Sequence, residues 1–140
     1  MVTVIFACIH NAGRSQMAAA FFNQLADPLR ARAISAGTRP ADRVHPEVAA
    51  VMGDIGIDLS SATPQLLTPE FAAEAEWLVT MGCGETCPVV PGLRRLDWNL
   101  PDPKGQPLDR VREIRDIIRN QVGSFVAEQA WLPKRSSQVS

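Results

Sequence analysis

The sequence predicts one α/β domain, a parallel sheet flanked by helices, on three observations. Short β-branched and aromatic runs alternate with longer helix-forming stretches, the order a parallel sheet covered on both faces requires. The first of those runs is apolar at successive positions, as in a strand buried on both faces. At 140 residues and 46% hydrophobic composition, the chain can build one core and is the size of one ordinary domain.

Residues 2–7 read as a strand that ends at Cys8, and the helix-forming run from Ser15 stops before Asp27-Pro28, where a residue preceding proline is pushed out of the helical region. Residues 32–35 read as a second strand running into Gly37. Pro46, after His45, suits the first turn of a helix that continues to Ile55 and closes at Gly56. Residues 69–75 predict a short helix, 76–81 a strand opening into Gly82-Cys83-Gly84, and 94–98 a last, shorter strand. Residues 107–127 predict a long amphipathic helix with Val111, Ile114, Ile117, Ile118 and Val122 on its apolar stripe. The domain is expected over 1–128, with 129–140, polar around Lys134-Arg135-Ser136-Ser137, a flexible tail.

A formal charge of −1 provides no broad basic field for nucleic acid and no acidic tail, so a ligand should be held locally. No apolar run approaches the roughly 20 residues of a membrane span, and Met1-Val2-Thr3 lacks a charged signal start. A soluble, cytoplasmic protein is expected, with neither membrane nor nucleic acid as partner. Three cysteines without zinc-ribbon spacing direct attention to thiol chemistry in a reducing compartment.

Cys8-Ile9-His10-Asn11-Ala12-Gly13-Arg14-Ser15 joins a strand to a helix, so its backbone N–H groups can converge just before a helix N-terminus and cradle an anion. Residues 9–14 are the candidate substrate-binding set. The helix dipole and a nearby guanidinium favour the thiolate of Cys8, to which Ser15 can donate a hydrogen bond. Arg14 can grip two oxygens of a tetrahedral anion bidentately, as lysine cannot. Small Ala12 and Gly13 allow the tight curl. Alternatively, Cys8 is a buried apolar residue at a strand end.

The Cys-x5-Arg-Ser run at a strand-to-helix junction near the N-terminus resembles the low-molecular-weight protein tyrosine phosphatase family and its arsenate reductase branch, from Val2 to about Ala127. The resemblance implies that family's fold. It also implies that Asp102, in the proline-rich loop Trp98-Asn99-Leu100-Pro101-Asp102-Pro103-Lys104-Gly105, protonates the leaving oxygen, which is a poor leaving group without a proton. Asp102 can otherwise merely shape a turn. His45 reads as positional, and His10 as a possible tuner of the loop's electrostatics.

Phosphatase and reductase chemistry begin alike, and the remaining thiols separate them. Met81-Gly82-Cys83-Gly84-Glu85-Thr86-Cys87-Pro88 carries two cysteines in a glycine-loosened segment, which phosphoester hydrolysis does not need and a disulfide relay does. Inert thiols or half a metal site are the alternatives. With two histidines in the chain, zinc would have to recruit Cys8, so no metal is expected. The chain has no tyrosine, and Lys104 rather than an aromatic follows Asp102-Pro103, leaving nothing obvious to stack on a phosphotyrosine ring. Arsenate reduction through Cys8, Cys83 and Cys87 is therefore expected, with no bound cofactor. The alternatives are a mycothiol- or glutathione-dependent thiol transferase and a tyrosine phosphatase. The resemblance implies thioredoxin as external dithiol, although the thioredoxin-coupled members space their relay cysteines farther apart. A short spacer such as Gly84-Glu85-Thr86 is similar to that of actinobacterial enzymes coupled to a low-molecular-weight thiol. Some relatives also hold potassium beside the anion loop. Asn11, Ser35 and Thr63 match that site, but Ala19 and Gln65 stand where carboxylates are expected, and no bound ion is expected.

Overall fold

The computed structural model describes residues 1–82 and 91–133. Four strands form one parallel sheet in the order β2-β1-β3-β4, with β1 Val2–Cys8, β2 Ala31–Gly37, β3 Trp77–Thr80 and β4 Arg94–Asp97. The helices are α1 Arg14–Leu25, α2 Pro46–Gly53, α3 Pro69–Ala72 and α4 Leu108–Glu128. The expected α/β architecture is therefore the observed one, with element ends displaced by one to a few residues.

β1 is central, and its alternate side chains serve two cores. Val4, Phe6 and Cys8 face the larger one with Met17, Phe21 and Phe22 of α1, Val48, Val51 and Met52 of α2, and Val111, Ile114, Ile118 and Val122 of α4. Ile5 and Ala7 face a smaller one with Leu78, Leu67 and Ala72. Fully burying each of the large side chains contributes roughly 1.5–3 kcal/mol, which fixes β1 from both sides and with it the position of Cys8. β4 closes one edge and carries charged residues, Arg94, Arg95 and Asp97, which discourage pairing with another chain. No helix among the described residues is long and apolar enough to cross a membrane.

Two expectations change. Ile117, placed on the apolar stripe of the last helix, is 41% exposed, because α4 is covered along 111, 114, 118 and 122 and position 117 lies at the stripe's margin. The boundary at 128 also falls short. Trp131 is buried against Phe22, Trp77 and Phe125, with ring centroids 5.7, 6.3 and 5.4 Å apart, and its carbonyl accepts from Asp27 N–H at 2.8 Å. An indole of that size buries too much apolar surface to belong to a tail, so the packed body continues at least to Trp131.

Candidate active site

β1 leads through α1 to β2 on one side of the sheet, and the chain later enters β3 on the other. The carboxyl end of β1 is thus a topological switch point, where open α/β sheets bind ligands, and Cys8 is its last residue.

The loop after Cys8 is organised by its carbonyls. Those of Cys8, Ile9, His10, Ala12 and Gly13 accept from the N–H groups of Thr38, Arg39, Ala41, His45 and Met17, at 2.8 to 3.2 Å. The Asn11 carbonyl accepts from Gln16 Nε2 at 3.0 Å. Every carbonyl of 8–13 is therefore turned outward, while among the described residues none takes up the N–H groups of 9–14. A loop with carbonyls out and amides in is an anion nest, here completed by the first turn of α1. Its tightness depends on Gly37, where a Cβ would stand 2.6 Å from Ile9 O and 2.9 Å from Asn11 N.

Cys8 Sγ lies 2.9 Å from Ser15 Oγ. The proton direction follows from the neighbours. Gln65 N–H, which can only donate, points at Asn11 Oδ1 at 3.0 Å, so Asn11 presents Nδ2 to Ser15 Oγ, at 2.7 Å. Ser15 Oγ accepts there and directs its own proton to Cys8. Gln16 Nε2 adds a second donor to Asn11 Oδ1 at 3.3 Å. Asn11, fully buried and at φ 52°, occupies the left-handed region that asparagine tolerates better than most residues.

Arg14 is the first residue of α1. Its Nη1 donates to Leu100 O at 3.0 Å and its Nη2 lies 3.6 Å from Asp102 Oδ2. Opposite, Gly82, at φ +91°, leaves so little space that a Cβ there would stand 2.8 Å from Arg14 Nη1. Asp102 has two occupations. Oδ1 accepts from Lys104 N–H at 3.0 Å and shapes the turn, while Oδ2 faces the guanidinium. Pro103 packs on Gly13, its Cγ 3.0 Å from where a Cβ would be, and His45 approaches the same place with Cδ2 at 3.6 Å. Burial lowers the His45 pKa below its ordinary value, with Lys104 and His10 acting in the same direction and Glu47 and Asp102 opposing it.

The sequence-selected residues Cys8, Ile9, His10, Asn11, Ala12, Gly13, Arg14, Ser15 and Asp102 thus converge at the carboxyl end of β1. Cys83 and Cys87 lie outside the described residues. Two positions escaped the sequence reading: Leu100, whose backbone oxygen aims Arg14 and leaves no signature, and Gln16, an amide buried in the first turn of α1. At the potassium positions the oxygens of Asn11 and Ser35 are already engaged by N–H donors, two on Asn11 Oδ1 and Gln65 Nε2 on Ser35 O at 2.8 Å, and Ala19 offers no ligand. Among the described residues no three of His, Cys, Asp or Glu are placed to hold a metal.

The chain is similar to known proteins. A provisionally named arsenate reductase of Halobacterium salinarum is 41% identical over 123 residues, covering 84% of this chain and 85% of that one. A glutaredoxin arsenate reductase of Synechocystis is 31% identical, over 91% of this chain and 98% of that one. The solved thioredoxin-dependent arsenate reductase of Corynebacterium glutamicum superposes with a TM-score of 0.79 at 34% identity, covering 91% of this chain and 61% of that one. The family model described as low molecular weight phosphotyrosine protein phosphatase matches residues 3–135, and the chain belongs to that family.

Proposed function

We propose that this protein reduces arsenate to arsenite. The observation that carries the reading is the amide-lined loop 9–14 with Cys8 at its mouth, a site for a tetrahedral oxyanion beside a nucleophile. Relatives named as arsenate reductases favour arsenate over a phosphoester.

Cys8 Sγ attacks arsenic while the loop amides and Arg14 hold the remaining oxygens. One hydroxyl of the arsenate leaves as water after receiving a proton from Asp102, giving a Cys8 arseno-thiol. The Cys83 thiolate attacks Cys8 Sγ, and the electron pair of the breaking S–As bond passes to arsenic, releasing arsenite and leaving a Cys8–Cys83 disulfide. Cys87 attacks Cys83 and returns Cys8 as thiolate, leaving Cys83–Cys87 for an external dithiol to reduce. Thioredoxin fits as donor, supported by the C. glutamicum neighbour's description. The glutaredoxin name of the Synechocystis relative favours a second reading, in which glutathione or mycothiol resolves the arseno-thiol. Gly82, against Arg14 and one residue before Cys83, supports the internal relay, because β3 delivers the chain to the anion site just before the first relay thiol.

The test is single-turnover arsenate reduction without reductant, with disulfides mapped by peptide mass. Wild type should release one arsenite per chain and form Cys83–Cys87, whereas Cys87→Ser should release one and stop at Cys8–Cys83. Cys8→Ser and Cys83→Ser should release none. Arsenite from Cys83→Ser would refute the internal relay and favour the external thiol.

A further inference from the structure

The nucleophile's hydrogen-bond partner is held through a chain of contacts that ends at an exposed residue the mechanism does not use. Ser15 is oriented by Asn11, and Asn11 by Gln65. Gln65 makes three bonds in different directions: its N–H to Asn11 Oδ1 at 3.0 Å, its carbonyl from Gly37 N–H at 2.8 Å, and its side-chain Nε2 to Ser35 O at 2.8 Å. The bridge between Gly37 and Leu66 continues this bracing along the outer side of β2. Segment 65–67 is thus a splint lying across the end of β2 and the back of the anion loop.

One residue of this splint, Gln65, stands where the resemblance implies a carboxylate ligand to potassium, and with N–H donors already on Asn11 Oδ1 and Ser35 O and Ala19 lacking a ligand atom, the site does not fit a cation. We infer that Gln65 is a positioning residue whose amide replaces a monovalent cation beside the anion loop, so that oxyanion binding by this chain is independent of potassium. The two N–H groups of Gln65 direct positive dipole ends at Ser35 O and Asn11 Oδ1, the sign of field a cation would supply, with partial charges fixed in the fold. A cation seated there would meet N–H protons at both oxygens. A built-in donor also needs no capture from solution, so the loop's order carries no dependence on ion concentration. Gln65→Glu reverses this arrangement. A carboxylate would face the Ser35 carbonyl, and two acceptors without a proton between them require a cation to bring them together.

The experiment measures inorganic phosphate binding by calorimetry, in potassium chloride and in tetramethylammonium chloride of equal ionic strength, with folding checked by circular dichroism. This inference rests on the oxyanion part of the proposed function alone, and phosphate binding tests it without any turnover. Wild type should bind phosphate equally in the two salts. Gln65→Ala should bind about fivefold more weakly in both, the loss expected for one hydrogen bond in the splint. Gln65→Glu should be weakened in tetramethylammonium and restored by potassium, a rescue that general destabilisation would not produce. Severalfold tighter phosphate binding by wild type in potassium would overturn the inference, as would a Gln65→Glu variant that equals wild type in tetramethylammonium or that potassium fails to restore. Wild type that binds no phosphate in either salt would overturn the anion-loop reading itself.

Discussion

The two loops that meet over Cys8 are built to different standards. Loop 8–15 has each of its first six carbonyls engaged by a partner from α1, the 38–45 segment or Gln16, and Gly37 and Pro103 press on it from two sides. The loop at 98–105 has one carbonyl on Arg14, one proline on Gly13 and a turn made by Asp102 itself, and Asp102 remains 50% exposed. One region is fixed mainly by hydrogen bonds to its backbone carbonyls, whereas the other is positioned by fewer contacts. The contrast separates the tasks: an anion nest works only if its amides are pre-aimed, while a proton donor has to tolerate the departure of the oxygen it serves.

That contrast can be broken from either side. The largest effect should come from Asp102→Asn, which removes the proton and leaves the nest intact. Formation of the arseno-thiol, followed by rapid quench, should slow on the order of 10²–10⁴-fold, while phosphate affinity measured by calorimetry changes little. Parallel losses in both would mean that the acid loop also builds the nest. Gly37→Ala should do the reverse, because its methyl meets backbone atoms that cannot rotate away. Thermal denaturation should report a loss of about 1–3 kcal/mol, with phosphate binding weakened alongside, and unchanged phosphate affinity would show that the nest is not braced by β2.

The smallest effect tests the seam between the loops. Burial lowers the pKa of His45, so the folded state holds fewer protons there than the unfolded chain near the ordinary value. Its contribution to stability is therefore complete above about pH 6.5 and is lost as pH falls through the folded value. Denaturant midpoints for His45→Gln should decline less than those of wild type between about pH 7 and 5. Identical slopes would assign the acid sensitivity to other groups.

The sequence made the scaffold legible because its signals are local. A strand buried on both faces has to be continuously apolar, as residues 2–7 are, and prolines at 28, 46 and 69 mark helix limits. The anion loop was legible for the same reason, since its residues are consecutive. What escaped was non-local. Trp131 looked like part of a polar tail until Phe22, Trp77 and Phe125, from three different elements, closed around it. Gln65 read only as a missing carboxylate, because the Ser35 carbonyl it reaches belongs to a strand 30 positions earlier. The Leu100 carbonyl that aims Arg14 carries no residue-type signal at all. Ile117 was misassigned because helical spacing defines a stripe but not its edge.

The aromatic cluster also governs what light can report about this molecule. With three tryptophans and no tyrosine, near-ultraviolet emission comes from indoles alone. Trp77, Trp98 and Trp131 each pack on the single ring of Phe125, at 5.3, 5.7 and 5.4 Å between centroids. Their surroundings differ: Trp131 is buried, Trp77 and Trp98 are half-buried, and the Arg94 guanidinium lies over the Trp77 ring at 5.3 Å. Trp98 stands at the root of the acid loop yet is moored to Phe6 and Phe125. Native emission therefore reports the packing of the core around Phe125, and its loss on denaturation offers a gauge for comparing the stability of site variants.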